Sequence, residues 1–193
     1  MGQALPQTPH ITPEKYLEEE LLADFKSEYV DGEIEAMAGA SDRHVTISGN
    51  ALALLKTHLR GSGCRTYISD MKVRVEADNA FYYPDVVVSC DADDQQPEQD
   101  YAKRHPKLII EVLSPSTADK DRGSKFASYR KLPSLEEYLL IDQDSYYVEL
   151  FRRQNIDEWV LMTRSGADAV IELHSIDFTT TLADFYEDVR WSD

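Results

Sequence analysis

The chain has 193 residues and a formal net charge of −16, from 20 Lys and Arg against 36 Asp and Glu. That length suits one domain with a true core, and a content of 42% hydrophobic and 29% charged residues excludes a disordered chain. The chain lacks the roughly 18 consecutive apolar residues of a membrane helix, and it has no CxxC or paired-His spacing for a zinc site. The two cysteines, Cys64 and Cys90, are expected as small buried hydrophobes and not as a disulfide framework. No basic stretch followed by an apolar run opens the chain, so a cytoplasmic location is expected. Residues 1–12 read as a loose leader and residues 13–193 as one domain.

Pro13 to Ala23 predicts a helix, with Thr12 as cap, Pro13 at the first position and Glu14 in the first turn. Ser27 to Met37 predicts two short strands around Asp31-Gly32, a dipeptide suited to the positive φ angles of a tight hairpin. Ser41 to Arg60 predicts a second helix, with Ile47, Ala51, Leu54 and Leu55 on one face, His44 on the same face, and Gly61 and Gly63 at its end. Met71, Val73 and Val75 alternate with polar residues, as in a half-buried strand. Asp85 to Ser89 and Leu108 to Leu113 are short apolar runs that predict central strands covered on both faces.

The acidic, Gln-rich stretch Asp91 to Asp100 reads as a solvated loop. Asp119 to Lys131 predicts a helix that stops before Pro133. Strands are then expected at Glu137 to Ile141, Tyr146 to Arg152, Trp159 to Thr163 and Val170 to Leu173, with Leu182 to Val189 as a closing helix. Helices separated by a block of strands define a mixed α/β domain.

Two acids sit inside apolar runs. Asp85 opens Val86-Val87-Val88, and Glu111 interrupts Leu108-Ile109-Ile110 and Val112-Leu113. A buried carboxylate must be paired, protonated or bound to a cation. Two of them on neighbouring strands suit Mg²⁺ or Mn²⁺ and metal-assisted phosphodiester hydrolysis. Each acid alone also fits a plain strand-entry residue or a solvent-facing edge residue.

Charge is unevenly spread. Residues 103–131 hold eight basic residues (Lys103, Arg104, Lys107, Lys120, Arg122, Lys125, Arg130, Lys131) and three acids, a local +5 against −21 elsewhere. An acidic whole repels nucleic acid, whereas a basic island beside the acid pair favours it.

The segments Tyr82-Tyr83-Pro84-Asp85-Val86-Val87-Val88 and Pro106-Lys107-Leu108-Ile109-Ile110-Glu111-Val112-Leu113-Ser114-Pro115-Ser116-Thr117 resemble the Uma-two family of the PD-(D/E)XK nuclease superfamily. Asp31-Gly32-Glu33, Ala40-Ser41 with His44, Ser69 to Val73, Asp121 to Phe126 with Tyr129-Arg130, and Ser134 to Tyr138 match as well. The resemblance runs from about Glu14 to Glu187. It implies a restriction-endonuclease-like fold, a central mixed sheet flanked by helices, here with an extra strand-rich C-terminal half. It further implies that Asp85 and Glu111 are metal ligands, with the Val112 carbonyl as a third, and that DNA is the substrate.

One position departs from the superfamily pattern. Leu113 stands where a lysine is wanted two residues after the second acid. Lys125, on the following helix, is the substitute, and Lys120 the weaker one; the ordinary reading of Lys125 is a solvated helix lysine. Glu33 is either a third acid on the metal or a polar hairpin residue. His44 is either a base or phosphate contact in the first turn of a helix, or a core or capping histidine. Asp70 ranks last as a cleft residue. The expected function is a Mg²⁺-dependent endonuclease. The alternative is a degenerate nuclease fold serving as a binding or regulatory protein, and a homodimer formed through Tyr138 to Thr163 is compatible with either.

Overall fold

The computed structural model describes residues 10–97 and 101–191. Part of the leader and the end of the acidic 91–100 stretch therefore lie outside the described residues.

The chain forms α1 (Pro13–Glu20), β1 (Ser27–Val30), β2 (Glu33–Ala36), α2 (Asp42–His58), β3 (Arg65–Ile68), β4 (Lys72–Val75), β5 (Ala80–Tyr82), β6 (Val86–Ser89), β7 (Ala102–Lys103) and β8 (Pro106–Leu113). A three-part helix follows: α3 (Ala118–Lys120), a π-helical turn (Asp121–Lys125) and α4 (Phe126–Tyr129). The chain ends with β9 (Glu137–Asp142), β10 (Tyr147–Arg153), β11 (Trp159–Ser165), β12 (Val170–Leu173), β13 (Phe178–Thr181) and α5 (Leu182–Phe185).

The central mixed sheet has the order β11-β10-β9-β8-β6-β3, with β8 and β9 parallel and the other pairs antiparallel. A second sheet has the order β2-β1-β5-β4-β7, and β12 with β13 makes a separate hairpin. Alternation along β8 decides what packs where. Leu108, Ile110 and Val112 face a core shared with Ile47, Ala51 and Leu55 of α2 and with Ile171, Phe178 and Phe185 of the C-terminal hairpin and α5. Ile109 and Leu113 face a second core with Val73 and Val75 of β4, Tyr82 of β5, and Phe126 and Tyr129 of α4. Glu111 has the parity of Ile109 and Leu113, so it points into this second core.

Several expectations hold and several shift. Thr12 caps α1 by accepting from the Lys15 N–H, and Ser41 caps α2 by accepting from the His44 N–H. Asp31 and Gly32 take φ angles of 44° and 93°, the left-handed pair that the β1–β2 hairpin requires. β4 is buried along its whole length: it lies between β5 and β7, Val73 and Val75 face the second core, and Lys72 covers the Tyr83 ring and Arg74 the Phe81 ring. The single helix expected over Asp119 to Lys131 is broken by the π turn, and the closing helix is only one turn long, Leu182–Phe185. The supposed solvated loop contains Asp94, which is fully buried and accepts from Ser89 Oγ and from the Arg104 and His105 N–H groups.

The cysteines correct the sequence reading outright: Cys64 and Cys90 form a disulfide. The cause is register. Arg65 pairs with Ser89 in the antiparallel β3–β6 ladder, which makes Cys64 and Cys90 the next cross-strand neighbours. Among the described residues, no helix is long and apolar enough to cross a membrane.

Candidate active site

The site lies where β6, β8, β1, α2 and the π turn meet. Val86 pairs with Ile110, so Asp85, one residue before β6, falls opposite Glu111. The two are cross-linked through backbone. The Asp85 N–H donates to Glu111 Oε2 at 3.2 Å, and the Val112 N–H donates to Asp85 Oδ2 at 2.7 Å. The first turn of α2 brings His44 Nε2 to 3.2 Å from the same Asp85 oxygen.

The π turn inserts one extra residue into the helical repeat, a feature frequent at functional sites. Asp121 and Lys125, four residues apart within it, share one helical face and are both buried. Lys125 is 6% exposed, and its Nζ lies 3.1 Å from Glu111 Oε1, 2.9 Å from Glu28 Oε1 and 3.6 Å from Asp121 Oδ1. Tyr129 donates to Glu111 Oε1 at 3.2 Å, and Tyr138 donates to the Asp121 carbonyl at 3.1 Å. Lys120 bridges Glu28 Oε2 and Glu35 Oε2, at 2.7 and 2.8 Å, and so ties the β1–β2 hairpin to this helix.

The electrostatics follow from three carboxylates, those of Glu28, Glu111 and Asp121, gathered around one buried ammonium, with Asp85 beside Glu111 and paired to His44. Burial raises the Glu111 carboxyl well above the ordinary range; Lys125 opposes this, while Asp121, Asp85 and Glu28 reinforce it. Burial and the same neighbouring acids raise Asp121. Burial disfavours the Lys125 charge, but Glu111, Glu28 and Asp121 outweigh it and hold the ammonium firmly protonated. Burial likewise opposes charge on Glu28, yet Lys125 and Lys120 hold it below its ordinary value. His44 is raised, because the hydrogen bond and charge of Asp85 exceed the effect of its burial.

The sequence-derived residues therefore divide. Asp85, Glu111, Lys125, His44 and Lys120 are brought together. Glu33 stands exposed at the start of edge strand β2, and Asp70 is exposed and pairs with Lys26 at 2.8 Å. The hairpin register pairs Glu28 with Glu35, and Glu28 is the acid that faces inward. Sequence reasoning missed Glu28, although the signal was the one used for Glu111: an acid within an otherwise buried strand. It also missed Asp121, four residues before Lys125.

The basic island does not form a basic wall. Arg104 pairs with Glu76, Lys107 with Glu136, Arg122 with Glu149 and Lys131 with Asp78, while Lys120 and Lys125 are held by the site acids. Lys103 is buried and donates to the Asp94 carbonyl.

The fold is a mixed α/β domain in which a Pro-Asp acid stands opposite a strand glutamate. Residues 13–183 match the Uma2 family, described as "Putative restriction endonuclease", and the chain belongs to that family. The "Uncharacterized protein slr1290" of Synechocystis sp. is 38% identical over 168 residues, covering 87% of both chains. The "Uncharacterized protein sll1609" of the same organism is 37% identical over 165 residues, covering 86% of this chain and 93% of its own. The fold is that of an Anabaena variabilis crystal structure described as "a putative nuclease belonging to DUF820", with a TM-score of 0.74 and 18% identity over 91% of this chain and 97% of that one.

Proposed function

We propose that the protein is a metal-dependent nuclease that hydrolyses phosphodiester bonds in DNA through Asp85 and Glu111. The observation that carries this reading is the convergence of these two acids from adjacent strands, in a nuclease-family chain, beside a buried lysine. The donor chemistry suits Mg²⁺, with Mn²⁺ as substitute. The oxygens are hard, and burial first, then the neighbouring acids, raise the Glu111 carboxyl against Lys125, a cost to its charge that a bound cation would relieve. Among the described residues no group of three or more His, Cys, Asp and Glu forms a metal-holding cluster. Asp85 and Glu111 would therefore hold the ion with the Val112 carbonyl, water and substrate phosphate as further ligands, the habit of Mg²⁺. When bound, it supplies charge for the phosphate and lowers the pKa of an attacking water.

The chain's own groups do the rest. Lys125 is too firmly protonated to be a base, so it stabilises charge on the phosphate. Glu28 and Asp121 orient its ammonium. Tyr129 fixes the rotamer of Glu111, and His44 holds Asp85, which favours the charged imidazole against burial.

The reading is tested by Mn²⁺ titration calorimetry on the intact chain with Asp85→Asn and Glu111→Gln. Saturable binding lost in both variants is expected; equal binding by wild type and both variants contradicts it. One observation favours the alternative of a degenerate nuclease fold that binds or regulates. Most of the basic island is spent on internal ion pairs, which leaves little free positive charge for a phosphate backbone.

A further inference from the structure

β11 is the longest strand at a sheet edge among the described residues, running Trp159–Ser165 in unbroken register with β10. Natural edges of this length are usually blunted by proline, lysine, a bulge or a covering element. β11 has neither proline nor lysine, its register shows no bulge, and Val160 and Leu161 at its centre are 42% and 50% exposed. The other edge strands are shorter; β2, for instance, has four residues and carries Glu33 and Glu35.

The direction of the open hydrogen-bonding groups follows from the ladder. The Arg153 N–H donates to the Glu136 carbonyl, on the β9 side. The odd residues of β10 thus bond to β9, and the even ones bond to Val160, Met162 and Arg164 of β11. Trp159, Leu161, Thr163 and Ser165 are left with their N–H and C=O groups pointing out of the sheet. The Arg164 guanidinium donates back to the Thr163 carbonyl at 2.9 Å, consistent with an open acceptor there.

We infer that this edge pairs with the same edge of a second copy of the chain, antiparallel, with Leu161 on the twofold axis. In that register Leu161 meets Leu161, Trp159 meets Thr163 and Val160 meets Met162, so outward groups meet outward groups throughout. Glu158, at the start of the strand, meets Arg164 of the other copy. The edge is thereby self-complementary in hydrogen bonding, apolar surface and charge, as a twofold interface must be. The inference does not depend on the nuclease reading. It does bear on the same helix, because the inner side of Trp159 packs edge-on against Phe126, the residue after Lys125, with ring centroids 5.4 Å apart.

A strand edge alone buries less than a standard interface, so a concentration-dependent dimer is expected. Sedimentation velocity on the full chain from about 1 to 100 µM should show monomer passing to dimer. Leu161→Lys, which sets two like charges on the axis, should abolish the dimer. Glu158→Arg and Arg164→Glu should each weaken it severalfold, and the double swap should restore it. Leu161→Cys should cross-link to itself on mild oxidation far faster than Val160→Cys, whose neighbour is Met162. Thermal melts at concentrations where the chain is monomeric should be unchanged in all variants, since the altered side chains lie at the open edge. A chain monomeric at every concentration overturns the inference. So does a dimer indifferent to Leu161→Lys and to both single swaps, or equal cross-linking from positions 160 and 161.

Discussion

The Lys125 ammonium lies 3.1 Å from Glu111 Oε1, although the two residues come from different elements. β8 supplies the carboxylate from the middle of a buried strand, and the π turn supplies the cation from the helix that packs over it. Asp121, four residues before Lys125 on the same helical face, joins it inside, while Arg122 turns away to Glu149 at 2.8 Å.

The position of Lys125 makes its removal doubly informative. Lys125→Ala should lower cleavage about 10²–10³-fold, the scale for losing one preorganised charge contact in a transition state. It also strands buried carboxylates, so a stability loss of about 3–5 kcal/mol is expected in urea denaturation. Lys125→Arg should recover little activity, because a planar fork does not reproduce a point charge. Single-turnover rates measured well below the melting temperature separate the two effects. Mn²⁺ affinity should stay nearly unchanged.

Glu28 predicts a pH effect of definite sign. Its carboxyl is held below its ordinary value of 4.5, against burial, by Lys125 and Lys120. A depressed acid contributes stability that is fully present above its unfolded pKa and disappears as pH falls through the folded one. The wild type should therefore lose stability on acidification below about pH 4.5, and Glu28→Gln should show a shallower acid limb. At neutral pH the same variant should cost about 3 kcal/mol, the low end for breaking a buried pair, because Lys125 keeps Glu111 and Asp121. Denaturation midpoints across pH 3 to 7, roughly the titration range of carboxylates, read both quantities. An acid limb as steep as that of the wild type would remove Glu28 from the network.

The Cys64–Cys90 disulfide closes a separation of 26 residues between β3 and β6. Loop-closure entropy assigns such a link about 3.5 kcal/mol. Reduction, or the Cys64→Ser/Cys90→Ser pair, should lower the melting temperature by several degrees while Mn²⁺ binding survives, because the link closes the end of β6 remote from Asp85. Loss of metal binding on reduction would mean that the strand end carrying Asp85 depends on the link.

Much of this was legible in the chain because the signals were local. Helix caps, the Asp-Gly hairpin and the continuous apolar runs of β6 and β8 each declare themselves within a few residues. Asp85 and Glu111 were found as charges in apolar surroundings. What stayed hidden depended on pairing between distant segments. β5 and β13 are short and follow turns made by Asn79 and Asp177 at φ 48° and 52°, left-handed positions held by residues other than glycine. Glu28 reads as one side of a hairpin until the register shows which acid faces inward. The disulfide follows from β3–β6 pairing, which the sequence spacing does not reveal. The basic island reads as a phosphate surface until its partners, scattered from Glu28 to Glu149, are seen to neutralise it.

Metal binding by Asp85 and Glu111 is what we propose makes the protein a working nuclease. Its most direct test is cleavage of end-labelled DNA, single- and double-stranded, by the intact chain with Mg²⁺ or Mn²⁺ and with chelator, set beside Asp85→Asn. The expected result is cleavage that requires the divalent ion, disappears with chelator and falls by at least about 10³-fold in Asp85→Asn, the size of effect that loss of charge stabilisation at a catalytic centre produces. Cleavage that persists undiminished in chelator and in Asp85→Asn, or a well-folded wild type that cuts neither substrate with either ion, would contradict it.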